Sequence, residues 1–381
     1  MARPLFTIGA FALAMVVAAI GATGSRLQAT GDRLQATGQP GNRKTSPEAR
    51  TPEPGARMSS EARSPQPEAH KKWAVPRTPD GQPDLQGVWT NATLTPLERP
   101  AELAAKEFLT PQEAEEYQKR VLARWDRDNR AGGPEADLGR AYGSVWWDAD
   151  ARLVPMTRTS LIVDPPEGKL PPLTADAQNR VNETRFERQR RPADGPEDRP
   201  LMDRCLWWPA VGPPMLPSFA NNSPYSPLVS NYQFLQGPGY VAIVNEILHE
   251  TRIVPLDGRP HVSQRIRKWM GDARGRWEGD TLIVDTTNFT AKSQFRGTGA
   301  GLHLVERFTR TDADTIRFEF TVDDPASLTQ PWSARILMIR SQGPIFENAC
   351  HEGNYGLRFL LGIARWEERQ ADAGRQSGAG K

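Results

Sequence analysis

Three stretches of this chain gather side chains able to move a proton or grip a ligand. The first runs from Phe346 to Tyr355 and holds Glu347, Cys350, His351, Glu352, Asn354 and Tyr355. Read as the end of a strand, it sets Ile345, Glu347, Ala349 and His351 on one face. A carboxylate and an imidazole sharing a face can act as general acid and base once burial tunes them. Glu246 is a second carboxylate candidate for that imidazole. The competing reading has Glu347 and His351 bonded to nearby backbone and arginine side chains. The second stretch, Pro255 to His261, puts Asp257, Arg259 and His261 on one loop, where binding residues commonly sit on a rigid sheet. Arg259 could grip a carboxylate or sugar hydroxyls there, or Asp257-Gly258 could form a plain turn with Arg259 paired to an acidic neighbour. The third holds Trp269, Arg274, Arg276, Trp277 and Glu278, an aromatic and cationic wall in which Trp277 serves equally well as core.

The elements that position these groups read as β. The run from Tyr240 to Pro255 is taken as one long strand with Glu246, Glu250 and Arg252 on one face. Val241, Ile243, Ile247, His249 and Ile253 occupy the other, so one face must line something polar. Further strands are expected at Gln233 to Leu235, Thr281 to Phe289, Leu302 to Thr309, Thr315 to Val322, Ala334 to Arg340 and Ile345 to Cys350, from their Val, Ile, Thr and aromatic content between turn residues. Shorter ones are expected near Gly87-Val-Trp89 and at Arg158 to Asp164. Trp277 to Thr281 and Thr311 to Thr315 carry hairpin turns. A capping box at Thr110 and Glu113, with Pro111 at the first helical position, opens one helix. A second, strongly polar helix is expected from about Ala175 to Arg191. The fold class is therefore mainly β: an antiparallel meander closing into a barrel or strongly curved sheet, with two or three peripheral helices. The Gly-x-Trp opening is shared with lipocalin-like barrels.

Ahead of the domain, Arg3 precedes an apolar run from Leu5 to Ile20 and small residues at Gly21 and Ala22. This reads as a signal peptide over residues 1–22, too short for the roughly 20 apolar residues of a spanning helix. Residues 23–72 read as a disordered tether, 73–370 as a single domain and 371–381 as a disordered tail. The chain is thus expected in the periplasm or secreted, without stable membrane insertion. Of the formal charge of +2, the basic part belongs to the tether, where residues 25–72 hold nine Lys or Arg against five Asp or Glu. The folded part is mildly acidic and gives no reason to expect a nucleic acid partner. The two cysteines, Cys205 and Cys350, are expected to pair in an oxidising compartment; two buried thiols, or a reactive Cys350 beside His351, are the alternatives.

Several chemistries find no support. His249, His261, His303 and His351 show neither HxH nor HExxH spacing, so no metal site is assigned. There is no Gly-x-Ser-x-Gly elbow, Walker A loop or dinucleotide fingerprint, so no cofactor is expected. Eleven tryptophans, among them Trp146-Trp147 and Trp207-Trp208, point to a large aromatic core or a groove for a flat or sugar-like ligand.

Four motifs carry a resemblance: Arg158-Thr-Ser-Leu-Ile-Val-Asp-Pro-Pro166, Pro255-Leu-Asp-Gly-Arg-Pro-His261, Gly275-Arg-Trp-Glu-Gly-Asp-Thr-Leu-Ile-Val-Asp-Thr-Thr-Asn-Phe289 and Cys350-His-Glu-Gly-Asn-Tyr355. In these the chain resembles a family of secreted proteins from soil and environmental bacteria, over most of Trp73 to Arg369. The resemblance implies an exported bacterial chain and brings no activity or catalytic residue with it.

The residues together support a barrel binding a small aromatic or sugar-like molecule in a cavity with a polar floor. Glu246, Arg252, Asp257, Arg259, His261, Trp277, Glu347, His351 and Tyr355 are the candidate lining. Two alternatives remain at this level: a hydrolase, lyase or isomerase using His351 with Glu347 or Glu246, and a structural envelope protein if the interior is wholly apolar.

Overall fold

The computed structural model describes residues 73–124, 132–134, 155, 157–191, 193–206, 213–216, 231–247, 250–292, 295–347 and 349–378. These belong to the compact unit Trp73–Lys381. The signal segment, the tether, His249 and the tryptophan pairs at 146–147 and 207–208 lie outside the described residues.

The strands are β1 (Gly87–Thr90), β2 (Ile162–Asp164), β3 (Asn231–Gly237), β4 (Tyr240–Asn245), β5 (Thr251–Pro255), β6 (Asp272–Glu278), β7 (Thr281–Thr287), β8 (His303–Arg310), β9 (Thr315–Asp323) and β10 (Trp332–Arg340). They form one sheet in the order β5-β4-β3-β1-β10-β9-β8-β7-β6, with β2 beside β10. Every pairing between these strands is antiparallel. Two meanders, β3 to β5 and β6 to β10, are thus joined by β1, which slots between β3 and β10. The result is a mainly β, nearly closed barrel whose end strands, β5 and β6, face each other across a seam. Gly275 on β6 permits that approach. A Cβ there would lie 2.6 Å from Leu256 Cδ2 and 2.7 Å from Val254 Cγ1.

Alternation explains which faces turn inward. On β9, Ile316, Phe318, Phe320 and Val322 are buried while the residues between them are half-buried. Phe308 stacks on Phe318 at 4.7 Å between centroids, and Phe234 meets Phe308 edge-on at 5.3 Å. With Trp89, Tyr232 and Trp332, these rings fill the interior.

Two expectations about strands are corrected. The long strand from Tyr240 to Pro255 is a hairpin, because Asn245 turns the chain: its N–H donates to Glu250 O at 2.9 Å and its side-chain oxygen accepts from Ile247 N at 2.8 Å. The turn shifts the two-residue parity, so Arg252 joins Val241, Ile243 and Val254 on the buried face instead of opposing them. The segment from Ile345 to Cys350 forms no strand among its described residues. Its backbone bonds instead to a side chain, Phe346 N donating to Glu246 Oε1 at 2.7 Å.

Among the described residues, three long helices flank the barrel. In α1 (Pro111–Arg124) the expected capping box is present, with Glu113 N to Thr110 Oγ1 at 3.3 Å and Thr110 N to Glu113 Oε2 at 3.0 Å. The polar α2 (Ala175–Arg190) buries only Ala177. The third, α3 (Gly356–Gly378), corrects the disordered tail expected from residue 371. Ala371, Ala373 and Arg375 favour the helix there, and Asp372 pairs with Arg375 three residues later. No described helix is long and apolar enough to cross a membrane.

Candidate functional site

A pocket of about 420 Å³ opens at one end of the seam. Four separated segments wall it: Thr78 to Gln82, the β3–β4 hairpin from Gln236 to Tyr240, Leu256 after β5, and Arg276 and Trp277 at the end of β6. Each wall is held by an identifiable contact. Gln236 anchors the first segment, accepting from Leu85 N at 2.7 Å and donating to Pro83 O at 3.0 Å. Arg77 meets Asp280 in the β6–β7 turn at 2.5 Å. Leu256 N donates to Gly239 O at 2.8 Å. The Tyr240 ring lies so close over Gly237 that a Cβ there would sit 2.6 Å from Cζ. Trp277 packs its body on the core, and its indole N–H is buried with no acceptor among the described residues. A buried indole N–H usually finds a partner, and leaving one unmade costs about 1–3 kcal/mol. The pocket therefore has two aromatic walls and several polar groups at its rim, and its volume falls within the range of about 300–1,000 Å³ usual for ligand sites.

The barrel interior has a polar floor of its own. Arg252 on β5 forks onto Glu306 on β8, Nη1 to Oε1 at 3.1 Å with Nη2 on Oε2, and both side chains are almost wholly buried. Tyr232 lies near this pair, and burial pushes its hydroxyl well above the ordinary tyrosine range, with Asn91 and Asn245 beside it acting in the opposite sense. Asn91 Oδ1, Tyr232 Oη, Arg252 Nε and Thr286 Oγ1 make no geometrically sound hydrogen bond among the described residues.

A third polar group sits on the outer face of β6 to β8. His261 Nε2 lies 3.0 Å from Asp285 Oδ1 and its Nδ1 3.3 Å from Asp272 Oδ2, while His303 Nε2 lies 3.1 Å from Asp285 Oδ2. Because carboxylates only accept, His261 makes both bonds only when both its nitrogens carry hydrogen. Lys268 and Arg274 close on Asp272 at 2.6 and 2.9 Å. Burial would raise the Asp272 pKa, but the Lys268 hydrogen bond, the Val262 N–H and the two cations outweigh it and hold the carboxyl below the ordinary range. No group of three or more His, Cys, Asp or Glu among the described residues is arranged to hold a metal ion.

The sequence candidates are thus distributed over several places. Trp277 lines the seam pocket, Arg252 belongs to the interior floor and His261 to the outer cluster. Asp257 and Arg259 bond to each other on an exposed loop, Nε to Oδ2 at 2.5 Å. That guanidinium holds the Asp257 carboxyl below its usual value. Glu246 is buried and accepts from Asn231 Nδ2 and Phe346 N, both at 2.7 Å, so it fastens the 346 segment to the barrel. Glu347, His351 and Tyr355 are exposed. With no strand from 345 to 350, the shared face that would have aligned Glu347 with His351 is gone. Cys205 and Cys350 form a disulfide with 5.8 Å between Cα atoms.

Sequence reasoning missed Asp80, Gln82, Tyr240 and Leu256 because the pocket draws its lining from four segments far apart in sequence. Glu306 was readable, since it interrupts the inward Leu304 and Phe308 on β8 with a charge.

No family model matches the chain. No curated protein matches it either. Among solved structures it is similar to an asparagine-to-alanine mutant of the fluorescent protein UnaG, at 12% identity over 30% of this chain and 72% of that one. The TM-score of 0.18 is too low for that likeness to bear on fold or function.

Proposed function

We propose that this protein is exported and binds a small organic ligand, aromatic or sugar-like, in the seam pocket. The observation that carries the reading is the lining itself: the Tyr240 and Trp277 rings on two walls of a ligand-sized pocket, with the polar side chains of Asp80 and Gln82 beside them. A ligand ring would pack against Trp277 and Tyr240 while its polar groups meet Asp80 and Gln82. The amino-terminal apolar run, the Cys205–Cys350 disulfide and the resemblance to secreted bacterial proteins support export to the periplasm or beyond.

The test is thermal denaturation of the purified protein against aromatic acids, sugars, lipids and aromatic amines. A ligand that binds the folded state raises the melting temperature by linkage. A shift that shrinks in Tyr240→Ala supports the reading. A shift unaltered by Tyr240→Ala, or none with any class, contradicts it.

A further inference from the structure

We infer that the seam pocket takes the ring of an uncharged sugar, an assignment that rests on the pocket being the binding site. Three features of the lining separate this class from the other flat or small ligands the pocket could admit.

The first is charge. Arg276 is already tied to Glu278, with Nε to Oε1 at 2.9 Å and Nη2 to Oε1 at 2.7 Å. Asp80 forms no ion pair among the described residues and lines the same pocket. The charge left uncompensated at the rim is therefore negative, which opposes the carboxylate of an aromatic acid.

The second is hydrogen-bonding type. Asp80 only accepts and Gln82 both donates and accepts, so the rim suits groups that do both, as hydroxyls do. An ammonium group would suit Asp80 and the aromatic faces but offers no acceptor to the Gln82 amide. A hydroxyl satisfies the Gln82 amide and the Asp80 carboxylate alike.

The third is shape. Tyr240 lies across Gly237 on one wall and Trp277 lines another, so the pocket offers aromatic surface to an apolar ring face with polar groups around it. A sugar ring has this amphipathic form: carbon-bound hydrogens on its faces and hydroxyls at its edge.

The experiment is titration calorimetry of the full protein with uncharged mono- and disaccharides, the matching uronic acids, aromatic carboxylates and aromatic amines. Wild type is compared with Tyr240→Ala and Asp80→Asn; both positions are exposed enough for the fold to survive, and circular dichroism checks that it does. The expected result is binding of at least one neutral sugar, weakened about tenfold in each variant, equivalent to one lost hydrogen bond or stacking contact. Its uronic acid binds less tightly than the neutral sugar in wild type, and Asp80→Asn narrows that gap. If an aromatic acid or amine binds instead and Tyr240→Ala weakens it, the sugar assignment is overturned while the pocket reading stands. If no class binds, or binding ignores both substitutions, both are overturned.

Discussion

Arg252 and Glu306 meet across the barrel interior, joining the last strand of one meander to the middle of the other. Neither side chain exposes more than 3% of its surface. Removing one partner of such a pair strands a buried charge, which costs about 3–5 kcal/mol, whereas replacing both with apolar groups of similar volume is often neutral. Glu306→Leu alone is therefore expected to lower unfolding free energy by that amount. The double variant Glu306→Leu/Arg252→Met should recover most of the loss. Urea denaturation of the three proteins measures both.

The outer cluster makes a prediction about acid. The Asp272 carboxyl is held below its unfolded value, so its contribution to stability is present above about pH 4 and is lost as pH falls through the lower folded value. Stability measured from pH 6 down to pH 2 should decline more steeply in wild type than in Asp272→Asn. Parallel curves would show that Asp272 contributes nothing to acid sensitivity.

How much of this was legible in the sequence depended on how local each signal was. The barrel could be read because β9 alternates strictly and because Gly279-Asp280 marks a hairpin between two β-rich runs. The β4–β5 hairpin could not, since Asn245 is a single weak turn signal inside sixteen strand-like residues, and missing it reversed the inward side of Arg252. Helix α3 left a readable trace, with Leu357, Leu360, Leu361 and Ala364 falling on one half-buried face at helical spacing. The pocket left almost none. Asp80, Tyr240, Leu256 and Trp277 come together only once β1 joins the meanders and the seam sets its end strands side by side.

The disulfide joins positions 145 residues apart. In the chain-entropy model, closing a loop of that length stabilises by up to about 5 kcal/mol, with less in practice. Cys205→Ser/Cys350→Ser is expected to melt several degrees lower than wild type, and a reducing agent should lower wild type toward the same temperature while leaving the variant unmoved. Equal melting temperatures in all four samples would mean that the bond constrains nothing the fold needs.

Gly275 is the narrow point of the seam. A valine there would collide with Leu256 and Val254, the first of which also lines the pocket. Gly275→Val is expected to cost about 1–3 kcal/mol through overpacking. It should also weaken any pocket ligand, because Leu256 must move. Unchanged stability in denaturant would show that the end strands stand further apart than described.

The claim on which the account rests is that the seam pocket is where this protein holds its ligand. The most direct measurement is a crystal structure of the protein with the compound that raises its melting temperature most. The account predicts electron density against the Tyr240 and Trp277 rings, with a hydroxyl within hydrogen-bonding distance of the Asp80 carboxylate. Density for that compound beside Arg252 and Glu306, at the His261 cluster or elsewhere on the surface, with the seam pocket empty, would contradict it.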